Sequence, residues 1–271
     1  MKWITAWRRR PWAGYAVVLA ALAIIGVAYA GASPRTDRAQ ASDTTAAAQD
    51  VAKGKALFDQ TCSSCHGANA EGTKVAPSLI GVGAASVDFQ VGTGRMPATN
   101  PGAQIPRKKR ILGEEETRQL AAYIASLGGG PAVPSADQVD PGTGDAALGG
   151  KLFRANCAAC HNFAGSGGAL TGGKYAPSLD KATPTQIYEA MLTGPQAMPV
   201  FNDTTVTPAQ KRAIIAYVTQ TRSEPNPGGN GLGRVGPVAE GIAGWLIGIG
   251  LMVVAAMWIT ARKPKKKTQN D

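Results

Sequence analysis

The sequence predicts an all-α protein, in which two tandem copies of one small helical domain lie between an apolar helix at each end. Three observations predict this. All four cysteines and both histidines of the 271 residues fall in two pentapeptides, Cys62-Ser-Ser-Cys65-His66 and Cys157-Ala-Ala-Cys160-His161. The residues around each pentapeptide recur in the same order, as a duplicated unit requires. Two uncharged runs, each close to the roughly 20 apolar residues that cross a bilayer as a helix, sit near the two termini.

The first element covers residues 1–34. No charge interrupts Pro11 to Pro34, and AGYAVVLAALAIIGVAYA fills that run. Ala28-Tyr29-Ala30 has the form of a signal cleavage site, but the run is longer than the roughly 7–15 residues of a signal core, which favours a retained transmembrane helix. The matching element at the other end is residues 239–261, where GIAGWLIGIGLMVVAAMWITA runs from Gly241 to Ala261. Trp12 and Trp258 stand where an aromatic belt would hold them at the interface.

The charge distribution orients these helices. Nine of the 28 basic residues lie in the terminal flanks: Lys2, Arg8, Arg9 and Arg10, then Arg262, Lys263, Lys265, Lys266 and Lys267. Basic flanks stay in the cytoplasm. The short N-terminal flank and the tail 262–271 are therefore expected inside the cell membrane, with residues 35–238 outside. That body carries 19 basic and 16 acidic side chains, so the overall net charge of +10 comes mostly from the ends. Such a body does not suit nucleic acid as a partner.

Between the anchors, each Cys-x-x-Cys-His pentapeptide reads as an attachment site for haem c. Two thiols about one helical turn apart can add to the two vinyl groups of one porphyrin, and the adjoining histidine can reach the iron. Two covalently bound haems follow, on Cys62 and Cys65 and on Cys157 and Cys160, with His66 and His161 as proximal ligands. Structural zinc prefers two Cys-x-x-Cys pairs roughly 15–20 residues apart, whereas 91 residues separate Cys65 from Cys157. A thioredoxin-like pair needs a βαβ setting, and neither motif has one. Disulfides alone leave the placement of both histidines unexplained.

The repeat extends well beyond the motifs. Gly54, Leu57 and Phe58 before Cys62 match Gly149, Leu152 and Phe153 before Cys157. Ala76-Pro77-Ser78-Leu79 returns as Ala176-Pro177-Ser178-Leu179, and Thr93-Gly94 as Thr193-Gly194. Met96-Pro97 and Met198-Pro199 follow, then Tyr123 and Tyr217 within LAAYI and IIAYV. Each copy therefore runs through a helix, the motif, a loop, a short helix, a methionine loop and a last helix. Thr183-Pro184 and Thr207-Pro208 mark helix starts as N-cap and N1. Glu114, Glu115 and Glu116 suit the first turn of a helix that ends near Leu127, with Gly128 after it. Gly54 with Phe58, and Gly149 with Phe153, share a face that should meet Tyr123 or Tyr217.

This order resembles the small all-α cytochrome c domain, over residues 50–128 and 145–222. The resemblance implies that Met96 and Met198 are the sixth iron ligands, and that the carbonyls of Pro77 and Pro177 fix His66 and His161, a usual way of orienting a ligand. Met191 is the rival to Met198. It aligns with Gln90 inside the short helix, where a core role suits it better.

Residues 34–49, 129–144 and 223–237 are rich in Gly, Pro, Ala, Ser and Thr and read as flexible tethers. The copies also differ in length, because 27 positions separate Met96 from Tyr123 and only 19 separate Met198 from Tyr217. The extra segment holds Pro106-Arg-Lys-Lys-Arg110. It is either a solvated loop before an acidic helix start or a docking patch for an acidic electron partner.

With His and Met on both irons, no position is left open for a substrate, so the chain reads as an electron carrier without a catalytic site of its own. Two anchors around two such domains are similar to the dihaem cytochrome c subunit of actinobacterial menaquinol–cytochrome c reductase. That resemblance implies cytochrome b and Rieske iron–sulfur partners, and a haem–copper oxidase as acceptor in a supercomplex. A cytochrome subunit of a periplasmic dehydrogenase, a dihaem peroxidase and a dihaem subunit of a cbb-type oxidase are the alternatives. A C-terminal anchor disfavours the last two.

Overall fold

A computed structural model describes residues 12–32, 36–100, 102, 104–225 and 237–261. The basic flanks and most of the third linker lie outside the described residues. Close contacts divide the chain into two units, residues 1–49 and 50–271. Helix α1 (Ala13–Ala32) belongs to the first unit, and α2 (Thr36–Thr61) begins there and runs into the second. Residues 36–49, expected to be a flexible tether, are thus part of a helix.

The first repeat continues through α3 (Ser63–His66), α4 (Ala84–Gly92) and α5 (Glu114–Ser126). Its core is Phe58, Ala70, Val87, Val91, Leu120, Ala121, Tyr123 and Ile124. Two elements of the connection come next, α6 (Ala136–Val139) and a 3-10 turn at Pro141–Thr143. The second repeat comprises α7 (Ala146–Asn156), α8 (Ala158–His161), α9 (Pro184–Thr193) and α10 (Pro208–Ser223). Phe153, Ile187, Tyr188, Met191, Val206, Ile214, Ile215 and Val218 form its core. The all-α expectation holds. Among the described residues the only strand pairing is two residues long on each side, β1 (Gly168–Ala169) against β2 (Tyr175–Ala176).

The helix starts are those the sequence marks. Thr183 accepts a hydrogen bond from the Gln186 amide, Thr207 accepts one from the Gln210 amide, and each glutamine reaches back to complete a capping box. The glycine–phenylalanine faces also pack as the repeat predicts. The Phe58 and Tyr123 ring centroids lie 5.4 Å apart, and those of Phe153 and Tyr217 are also 5.4 Å apart.

The middle connection departs from its composition. Its Pro131 carbonyl accepts from the Ala85 amide of the first repeat at 3.0 Å. Farther along, Gln138 donates to the Tyr188 hydroxyl at 3.3 Å, and Arg212 to the Asp137 carbonyl at 3.2 Å. One end is bound to each repeat, so this segment is docked, and α4 packs against α9 across the boundary.

At the C-terminus, α11 (Pro237–Thr260) includes Gly241–Thr260, 20 residues long and apolar enough to cross a membrane, with none of it buried in the protein. It is the one such helix among the described residues, and it accords with membrane anchoring. The apolar stretch of α1 is shorter, Gly14–Tyr29.

Candidate functional site

Each Cys-x-x-Cys-His segment is a single helical turn set at an angle to the helix before it. Cys62 and Cys157 begin these turns, and their carbonyls accept from the histidine amides, at 3.0 Å for His66 and 2.8 Å for His161. Cys62 and Cys157 are half-buried against the cores, while Cys65 and Cys160 are exposed. All four thiols are free. Burial pushes the Cys157 thiol up to about 11, and it raises Cys62 in the same direction.

The loop after each histidine folds back the same way in both repeats. The carbonyl of His66 accepts from Gly72 at 2.7 Å, and that of His161 accepts from Gly167 at 2.9 Å. Leu79 then bonds the Ala70 carbonyl at 2.8 Å, as Leu179 bonds the Gly165 carbonyl at 2.7 Å. These bonds bring the two prolines under the imidazoles. His66 Nδ1 lies 2.8 Å from the Pro77 carbonyl, and His161 Nδ1 lies 3.0 Å from the Pro177 carbonyl. A carbonyl can only accept, so Nδ1 carries the proton and Nε2 keeps its lone pair. Burial also lowers the His161 pKa, opposed by the Pro177 carbonyl.

Methionine loops follow α4 and α9. Gly94 and Gly194 turn the chain with φ of 70° and 57°, a conformation that suits glycine. A side chain on Gly94 would also strike the Lys108 carbonyl, at 2.3 Å from its β-carbon. Met96 and Met198 emerge half-buried beside their cores. In the second repeat, Cys157, Cys160, His161 and Met198 all line one cavity. Met191 sits in α9, 2% exposed among the core side chains, and lines the same cavity.

Comparison with known proteins matches this geometry to families. Residues 51–128 match the model for cytochrome c, and residues 144–218 match that for cytochrome c oxidase, cbb3-type, subunit III. The chain is 46% identical over 260 residues to the cytochrome bc1 complex cytochrome c subunit of Mycobacterium tuberculosis, covering 94% of this chain and 92% of that one. The chain belongs to the family of cytochrome bc1 complex cytochrome c subunits. The Mycobacterium leprae member is 47% identical over 91% of the chain and 86% of its own length. The Corynebacterium efficiens member is 45% identical over 88% and 86%.

Cytochrome c domains bind haem c, and the donor sets of this family member fit the group. Each repeat offers two thiols on one turn and an imidazole with its outer nitrogen available, and in the second repeat a methionine thioether lines the same cavity. Sequence reading passes over Arg95 and Gln104 and takes Arg107 only as part of the basic cluster, yet the first repeat contributes all three to the second repeat's cavity. One signal was present: Arg95 is a charge just before Met96, where the second copy has only Pro195, Gln196 and Ala197 before Met198.

Proposed function

We propose that the chain is the membrane-anchored dihaem cytochrome c subunit of a respiratory menaquinol–cytochrome c reductase. It would assemble with cytochrome b and a Rieske iron–sulfur protein, and pass electrons to a haem–copper oxidase held in a supercomplex. Cys62 and Cys65 attach one haem, and Cys157 and Cys160 attach the other. The four thiols would hold the groups through thioether bonds to their vinyl carbons, an addition with no net oxidation. His66 with Met96, and His161 with Met198, ligate the two irons. When bound, the groups supply one-electron iron couples of raised potential.

The rest of the work belongs to the chain. Pro77 and Pro177 hold the imidazoles in one tautomer and orientation. The two methionines fill the sixth positions, which favours electron transfer over substrate activation. The helix Gly241–Thr260 anchors the chain, and the basic flanks support placing the haem domains on the extracytoplasmic side.

The observation that carries this reading is the convergence of Cys157, Cys160, His161 and Met198 on one cavity, with the same motif-to-proline bond repeated at His66. A pyridine haemochrome assay on the purified chain tests it, with two haems expected that stay with the polypeptide in acidified acetone. A yield of one haem, or extraction of both, would overturn the dihaem assignment.

A further inference from the structure

The second repeat's cavity has charges that its four haem-binding residues do not explain. Arg95, Arg107 and Lys174 all line it, and among the described residues no aspartate or glutamate does. Arg95 is 9% exposed, stacks at 5.0 Å over the Phe89 ring and makes no ion pair among the described residues. Arg107 lines the same cavity as a second, like charge. Two guanidinium groups on one cavity, Arg95 buried and Arg107 exposed, with no ion pair for either among the described residues, favour an anion there.

The segment that brings Arg107 there is clamped across the boundary between the repeats. Gln104 bonds the Tyr175 backbone twice, its Nε2 donating to the carbonyl at 2.7 Å and its Oε1 accepting from the amide at 3.0 Å. Gln196 donates to the Ile105 carbonyl at 2.9 Å, and Arg107 to the Lys181 carbonyl at 3.1 Å. This is the extra length that sets the first repeat apart from the second. Of its basic cluster, Lys108 is held by the Pro97 carbonyl at 2.7 Å and is part-buried, while Arg107 lines the cavity and stays exposed.

We propose that Arg95 and Arg107, carried by the first repeat, seat the propionate carboxylates of the haem held by the second repeat. The proposal rests on the reading of this cavity as a haem site. A guanidinium presents a planar fork of donors that matches a carboxylate, and the propionates are the anions that haem itself brings. The second haem site is then a composite of both repeats, and haem binding there also ties the two repeats together.

The test uses the full chain in its detergent-solubilised complex, with Arg95→Gln and Arg107→Gln as variants and Arg110→Gln as a control from the same basic cluster. Redox titration should show the second haem's potential falling, since a lost cation favours the ferric form. A roughly tenfold shift in that equilibrium is expected, equivalent to about 59 mV for one electron. The propionate bending modes in resonance Raman spectra should shift together with the potential, and Arg110→Gln should change neither. Arg95→Lys should restore part of the potential by restoring the charge. If Arg95→Gln fails to accumulate, Arg107→Gln and Arg95→Lys carry the test. An unchanged second-haem potential and propionate mode, or a change confined to the first haem, would overturn the proposal. Haem counting keeps this distinct from the carrier reading, which stands wherever the variants retain two covalent haems.

Discussion

A β-carbon on Gly54 would lie 2.0 Å from the carbonyl oxygen of Gln119, and one on Gly149 would lie 1.9 Å from that of Ala213. The first helix of each repeat therefore runs against the backbone of the last helix, and only glycine permits the approach. Gly54→Ala and Gly149→Ala should each cost about 1–3 kcal/mol or more through overpacking. Thermal melts followed by the spectrum of each haem should show the loss in the repeat that carries the substitution.

Replacing the proposed axial thioethers gives a sharper test of register. Met96→Ala or Met198→Ala should abolish the methionine–iron charge-transfer band of one haem and lower its potential. Met191→Ala should instead destabilise the second repeat by about 2–5 kcal/mol, the usual loss for a buried methionine, and leave that band intact. Loss of the band in Met191→Ala with its retention in Met198→Ala would reverse the ligand assignment.

How much of this was legible follows from where each feature resides. The glycine–aromatic packing, the Thr183 and Thr207 caps and the proline loops lie within one copy, so duplication displays them twice. Glu189 acquires its setting from Asp88 and Arg95 shares its cavity with the second repeat, both distant in sequence, and no local pattern announces that. Lys211 stands in the first turn of α10 and is fully buried. Residues 129–144 read as a tether because their composition is that of one. Composition does not register the bonds of Pro131, Asp137 and Gln138 that dock them.

Lys211 leads to a contrast between two substitutions. Its ammonium donates to Asp203 and to the Val206 carbonyl, each at 2.7 Å, and lies 5.5 Å from the centre of the Tyr188 ring. Asp203→Ala removes the only carboxylate of that set and leaves a buried cation, at a cost of about 3 kcal/mol. Lys211→Met keeps the packing on Tyr188 and frees Asp203 into solvent, so denaturant melts should find it close to neutral. Equal losses in both would show that the attraction within the pair, and not a stranded buried cation, sets the cost.

A second buried charge sets a pH dependence. Glu189 in α9 is fully buried and faces Asp88 of α4 across the boundary between the repeats. Burial, then the Asp88 carboxylate, push its pKa from an ordinary 4.5 to about 9. Between those values the folded protein binds a proton that the unfolded chain releases, so stability falls as pH rises. The contribution is complete below about pH 4.5 and is lost as pH passes through about 9. Glu189→Gln should flatten the decline of the melting temperature over this window and leave the variant more stable than wild type at pH 8. An unchanged slope would place the proton elsewhere.

The membrane helix constrains partners by simple reach. From the end of α10 at Ser223 to Gly241 the chain has 17 intervening residues, which span at most about 60 Å even when fully extended. The second haem domain therefore works within that distance of the bilayer, and it cannot diffuse to its partners as a soluble cytochrome does. Its electron donor and acceptor must come within that reach. A tag on this chain should then retrieve a b-type cytochrome and a Rieske protein from mild detergent, together with a haem–copper oxidase. Difference spectra of the eluate would identify the b-type haem, and electron paramagnetic resonance the iron–sulfur cluster. Recovery with a dehydrogenase and no b-type haem would overturn the reductase assignment and leave the dihaem carrier in place.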